Sequence, residues 1–185
     1  KEFYWEGDPE FSEDCLYLNV WTPTEAASHP EKKLPVAMWI HGGAYTHGWG
    51  FEVTMDGESW AKRDVILVTI NYRVGALGFL CHPLLAEEGN GESGNYGTWD
   101  QAAALRWVKD NIANFGGDPN NITVFGQSAG AASVKNMVAS PVTKGLLSRA
   151  IIQSGGGLGE FIPESRMQES LDFGKALMEM AGCTT

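Results

Sequence analysis

The sequence predicts an α/β fold, a mostly parallel central sheet with helices on both faces, and three observations carry that expectation. Apolar runs of strand length alternate with longer segments of helical period, the rhythm of βαβ units. The runs at 36–40 and 65–71 are nearly continuous instead of alternating, as strands buried on both faces are. Glycines punctuate the run ends, at 42–43, 116–117 and 155–157.

Residues 16–22 alternate and stop at Pro23, which predicts an early antiparallel strand. The polar stretch 24–33, with Pro30 inside it, reads as a surface loop. Two buried strands follow at 36–40 and 65–71. A helix is predicted over 98–113, where Ala102, Leu105, Val108 and Ile112 share one face. Thr98 and Gln101 have the spacing of a capping box, and Gly116, Gly117 and Pro119 close the segment. A third buried strand over 122–125 runs into Gly126, and a helix over 131–139 is stopped by Pro141. A fourth strand is expected at Arg149–Gln153 and an amphipathic helix over 165–180. No repeat, low-complexity tract or long linker interrupts the series.

At 185 residues and 43% hydrophobic, the chain suffices for one domain with a sizeable core. Its net charge of -10 repels phosphate backbones and anionic lipid, so nucleic acid is an unfavoured partner and a neutral small molecule a favoured one. No apolar run reaches the roughly 18 residues of a membrane span. Lys1 opens no basic, then apolar, leader pattern. The cysteines, Cys15, Cys81 and Cys183, have no metal or redox spacing and read as small hydrophobes.

Two constellations carry chemistry. Gly126-Gln127-Ser128-Ala129-Gly130 has the Gly-x-Ser-x-Gly pattern and sits between an apolar strand and a helix of small residues. A serine at so sharp a strand-to-helix turn is strained, and small neighbours permit it. Its hydroxyl then stands above the sheet, where the helix N-terminus and the Ala129 amide favour negative charge. A glycine-rich turn without chemistry is the alternative, and the flanking elements weigh against it. The second constellation, His41-Gly42-Gly43-Ala44-Tyr45, follows a buried strand, as an oxyanion loop does. Its backbone N–H groups are the candidate donors, and His41 reads as a residue that shapes the turn, not as a base.

These pieces resemble the type-B carboxylesterase/cholinesterase family of α/β-hydrolases. The match extends through residues 12–21, His41-Gly42-Gly43-Ala44-Tyr45, residues 71–80, Gly94-Asn95-Tyr96-Gly97, Asp100-Gln101, Phe115-Gly116-Gly117-Asp118-Pro119 and the serine turn, in the family's order. The resemblance implies Ser128 as nucleophile and the amides of Gly43, Ala44 and Ala129 as an oxyanion hole, with no cofactor and no metal. It also implies a buried ion pair between Arg73 and Asp100. Gln127 departs from the family's usual Glu, which weakens any case for cationic substrates. Trp5 lies at the offset of the choline-stacking aromatic but reads as a loop aromatic. Cys15 lacks the upstream cysteine with which animal relatives pair it.

The order of a serine triad in this fold is Ser, acid, His. All four histidines (His29, His41, His47 and His82) precede Ser128. The acids after it, Glu160, Glu164, Glu169, Asp172 and Glu179, read as solvated charges. The expectation is therefore that residues 1–185 form the N-terminal portion of a single catalytic domain continuing beyond both ends, whose C-terminal remainder supplies the acid and histidine. The expected activity is hydrolysis of neutral carboxylic esters, as by a broad bacterial-type carboxylesterase or an aromatic-ester (feruloyl-type) esterase, and Trp49 and Phe51 near the loop suit either. A catalytically silent binding or adhesion domain is the alternative from another class, and a choline esterase a further one.

Overall fold

A computed structural model describes residues 12–155 and 167–183. Trp5, Gly156, Gly157, Glu160, Glu164 and the start of the expected terminal helix lie outside the described residues. The chain runs β1 (Leu18–Trp21), α1 (Thr24–Ser28), β2 (Leu34–Ile40), α2 (Glu58–Ala61), β3 (Ile66–Ile70), α3 (Gly75–Phe79), α4 (Pro83–Glu88), α5 (Tyr96–Asn111), β4 (Gly117–Gln127), α6 (Ala129–Ala139), β5 (Arg149–Gln153) and α7 (Met167–Met180). The sheet order is β1-β3-β2-β4-β5. Among the described strands only β1 is antiparallel, pairing Leu18 with Ile70 and Trp21 with Leu67. The others run parallel, so all their C-terminal ends open on one edge of the sheet, where ligands bind in folds of this kind.

Alternate residues of the central strands feed two cores. Val36, Met38 and Ile40 of β2, Ile66, Val68 and Ile70 of β3, and Ile122 and Val124 of β4 share the larger one with Leu105 and Val108 of α5 and Val134 and Met137 of α6. Ala37, Trp39, Leu67 and Phe125 face the other way, against Trp21, Met55, Trp60 and Val65. Among the described residues the helices α5 and α6 thus cover one face, while the opposite face receives the four-residue α2 and loop aromatics. At the far edge, every residue of β5 is exposed.

Three sequence expectations need correction. The stretch 24–33 is not plain loop: it folds into α1 and a 3₁₀ turn, Pro30–Lys32, and buries Ala26. The capping box at Thr98 is not used, because α5 starts at Tyr96 behind Asn95 in the left-handed conformation, with no side-chain cap. That moves Gln101 into the helix body, where it is fully buried. β4 also begins at Gly117, earlier than the apolar run suggested, because its first residue pairs with Leu34 at the start of β2.

Candidate active site

β4 passes directly into α6 through Ser128, whose backbone sits at φ 56 and ψ -122. A positive φ costs a non-glycine residue energy, so the surroundings must enforce it. The Ser128 N–H donates to the Gln153 carbonyl at 2.9 Å, and the Ser128 carbonyl accepts from Ala132 N–H at 3.0 Å. The flanking glycines make the bend possible. A Cβ on Gly130 would lie 2.1 Å from the Ile40 carbonyl oxygen and 2.7 Å from that of His41. One on Gly126 would lie 2.5 Å from the Gly130 carbonyl carbon. The first turn of α6 therefore packs directly on the end of β2. Ala129 is fully buried, Ser128 half-buried and Gln127 exposed.

The loop after β2 meets this turn from the other side. A Cβ on Gly42 would stand 3.3 Å from Ser128 Cβ and 2.9 Å from the Gln127 carbonyl oxygen, so the loop backbone and the serine turn are in contact. Gly43, Ala44 and Tyr45 all have positive φ, 103, 52 and 62. The Gly43 carbonyl accepts from Thr46 N–H at 2.9 Å and His47 N–H at 3.2 Å, which closes the turn. The Tyr45 carbonyl accepts from Gly75 N–H at 2.6 Å, and the Tyr45 hydroxyl lies 3.3 Å from Ser133 Oγ on α6. Ser133 Oγ is also 3.1 Å from the Ala129 carbonyl, so loop and helix are joined through one serine.

Of the predicted site residues, the fold brings Ser128, Ala129 and the Gly43–Ala44 segment to the C-terminal edge of β2 and β4. His41 is fully buried under the loop, with Nδ1 2.8 Å from the Gly42 carbonyl oxygen. Burial pushes its pKa down from 6.5 to about 4, which keeps the ring neutral. The other histidines serve elsewhere: His29 contacts Glu31, His82 caps α4 by accepting from Leu84 N–H, and His47 bonds Thr46 Oγ1. On α7, Glu169, Asp172 and Glu179 are exposed, as expected of solvated charges.

The ion pair that the resemblance implied is present. Asp100 accepts from Arg73 Nη2 at 2.7 Å, from Arg73 Nε at 2.8 Å and from the Arg73 backbone N–H at 3.0 Å. It ties the segment after β3 to the start of α5. The Asp side chain is 6% exposed and the Arg side chain 37%, so the pair is buried at its acidic end only. Beside the loop, Trp49 and Phe51 stack at 5.8 Å and line a cavity of about 430 Å³ together with His47 and Leu77. Among the described residues no cluster of His, Cys, Asp and Glu has the makings of a metal site. No helix of the described residues is long and apolar enough to cross a membrane.

The sequence marked Tyr45, in the loop motif, and Tyr72, in the matching segment 71–80, without giving either a supporting role. Gly48 and Ser133 lay outside every motif and were missed.

A mostly parallel sheet whose central strand turns through a strained serine into a helix, facing a glycine loop from the next strand, defines an α/β-hydrolase. The chain belongs to the carboxylesterase family, whose profile matches residues 2–185. It is 51% identical over 148 residues to the para-nitrobenzyl esterase of Bacillus subtilis, covering 80% of this chain and 29% of that protein. It is 49% identical over 146 residues to the fumonisin B1 esterase of Sphingopyxis macrogoltabida, covering 78% and 26% respectively. Among solved structures, a carboxylesterase of Geobacillus stearothermophilus matches with a TM-score of 0.82 at 46% identity, over 94% of this chain and 35% of that one. The chain thus spans between a quarter and a third of the length of these curated relatives.

Proposed function

We propose that this chain carries the nucleophile half of a serine carboxylesterase acting on neutral carboxylic esters. Ser128 Oγ attacks the ester carbonyl, and the N–H groups of Gly43, Ala44 and Ala129 stabilise the oxyanion that forms. The alcohol departs with a proton, leaving an acyl group on Ser128, which water then releases as the acid. The proton is carried by a histidine outside residues 1–185, oriented by an acid also outside them. Residues 1–185 are in this reading one portion of a single catalytic domain. The full exposure of β5 and the chain's span of about a quarter of its curated relatives support that portioning.

The observation that carries the reading is the strained Ser128 backbone at the head of α6, in contact with the Gly42 loop. A hydroxyl with no chemistry to perform gives no reason to hold a positive φ between two glycines that tolerate no Cβ. Substrate class follows from two further features. Gln127 places a neutral amide beside the nucleophile, and Trp49 with Phe51 offers an aromatic wall to an aryl acyl or alcohol group. The names of the para-nitrobenzyl and fumonisin B1 esterases are consistent with ester substrates here.

A fluorophosphonate probe applied to the full-length protein tests the reading. Peptide mapping is expected to find the label on Ser128. Absence of label there, in protein that is folded, would mean an esterase-like binding domain without this chemistry.

A further inference from the structure

We infer that His41 is a positioning residue for the oxyanion hole: its Nδ1–H holds the Gly42 carbonyl and thereby sets the direction of the Gly43 N–H. This rests on the esterase reading above and names a residue that acts through the loop, not on the substrate.

The geometry supports each link. A carbonyl oxygen only accepts, so at 2.8 Å the proton must lie on Nδ1. Nε2 is then the bare nitrogen, and it is buried with no hydrogen-bond partner among the described residues, Ser128 included. His41 is therefore not poised to take a proton from the serine. A trans peptide is planar, with its C=O and N–H on opposite sides. Holding the Gly42 oxygen consequently fixes the Gly43 N–H on the other side of the same plane, in a segment that touches Ser128. Without that hold, Gly42 and Gly43 have the backbone freedom to rotate the peptide.

The hydrogen bond is also walled in. Tyr72 stacks on the imidazole, with ring centroids 4.2 Å apart and planes 14° from parallel. Its hydroxyl donates to the His41 carbonyl at 2.9 Å, so ring and backbone of His41 are both fixed by one neighbour. On the other side Gly48 closes over the bond. A Cβ there would lie 2.2 Å from His41 Nδ1 and 2.8 Å from the Gly42 oxygen. A side chain at position 48 would therefore collide with the bond, and His41 itself is fully buried. The lowered pKa of the ring agrees, because a neutral imidazole holds one proton and the Gly42 carbonyl claims it.

The test compares two amides of different reach in the full-length enzyme. The Asn side-chain nitrogen can occupy the place of Nδ1, whereas the Gln nitrogen falls at the place of Nε2. His41→Gln is expected to lower kcat for a p-nitrophenyl ester about 10- to 100-fold with KM changed less than twofold, as for a misaligned oxyanion donor. His41→Asn is expected to recover most of kcat. The affinity of a trifluoromethyl ketone, which forms an oxyanion on Ser128, should fall in parallel with kcat. Equal losses in Asn and Gln variants, or a loss confined to KM, would overturn the inference. A second measurement needs no variant that might fail to fold: nitrogen NMR of the histidine-labelled wild type at neutral pH should place the His41 proton on Nδ1. Finding it on Nε2 overturns the inference as well. Fluorophosphonate labelling of the wild type separates the two claims. An unlabelled Ser128 removes the esterase reading, while a labelled one with an unimpaired His41→Gln removes this inference alone.

Discussion

The serine turn and the glycine loop solve the same problem by opposite means. Both hold non-glycine residues at positive φ: Ser128 at 56, Ala44 at 52 and Tyr45 at 62. The turn does so by subtraction. Gly126 and Gly130 lack side chains where backbone atoms already stand, so helix and strand close on Ser128 from both ends. The loop does so by addition. Its conformation is held by side chains that reach in: His41 on the Gly42 carbonyl, Tyr72 on His41, and Tyr45 on Ser133. A device made of absent atoms is rigid and intolerant, whereas one made of hydrogen bonds can be weakened one bond at a time.

The largest expected effect falls on the chemistry common to both. Ser128→Ala should lower kcat/KM for p-nitrophenyl esters by roughly 10⁶-fold, since a nucleophile removed alone disables the whole catalytic unit. Steady-state kinetics in the full-length enzyme measure this, and a loss of less than a hundredfold would assign the nucleophile elsewhere. Next in size is Gly130→Ala, which places a methyl 2.1 Å from the Ile40 carbonyl oxygen with no flexible atom to yield. We expect at least about 3 kcal/mol of destabilisation, the upper range for overpacking, in urea unfolding. A variant as stable as wild type would show that the turn tolerates addition after all.

The same contrast explains what the sequence made legible. The turn is local: five consecutive residues carry it, and the apolar strand and small-residue helix on either side are visible by pattern alone. The parallel strands were visible for a similar reason, because burial on both faces writes a continuous apolar run. The loop's supports are not local. Tyr72 lies 31 residues from His41 and Ser133 lies 88 from Tyr45, so no window of sequence brings them together. The misread start of α5 has a physical cause as well. Asn95 enters a left-handed conformation that stands in for a side-chain cap, and the Thr98 spacing imitates a signal the fold does not use. The 24–33 stretch folded into short helices because Ala26 finds a place in the core, a tertiary effect that composition does not carry.

Acid should distinguish the two regions, because the loop side holds a buried histidine. His41 is displaced from 6.5 in the unfolded chain to about 4 in the folded one. Between those values the unfolded state binds the extra proton, so stability is complete above about pH 6.5 and drains away as pH falls towards 4. The loss amounts to about 3 kcal/mol at most. Burial is the main cause of the displacement; the hydrogen bond to the Gly42 carbonyl opposes it, and the neighbouring His47 adds a smaller push in the same direction as burial. Urea unfolding of wild type and His41→Asn at pH 7, 5.5 and 4.5 isolates the effect from that of the carboxylates. Equal slopes in the two proteins would mean that the ring is already solvated in the folded state.

The smallest expected effect falls on the residue that belongs to the turn but leans over the loop. Gln127 is exposed, and its Oε1 lies 3.2 Å from where a Gly42 Cβ would stand, so its amide borders both regions. Gln127→Glu adds a negative charge at that seam without changing shape. At an exposed position such a charge is worth about 1 kcal/mol or less, because water screens it. The preference for a cationic over a neutral ester of equal acyl length should therefore rise, by at most about fivefold. Activity on the neutral ester should change little, since the oxyanion donors are untouched. If the wild type already prefers the cationic ester, a site other than residue 127 binds the cation, and the neutral-ester specificity proposed here gives way to a choline-type one.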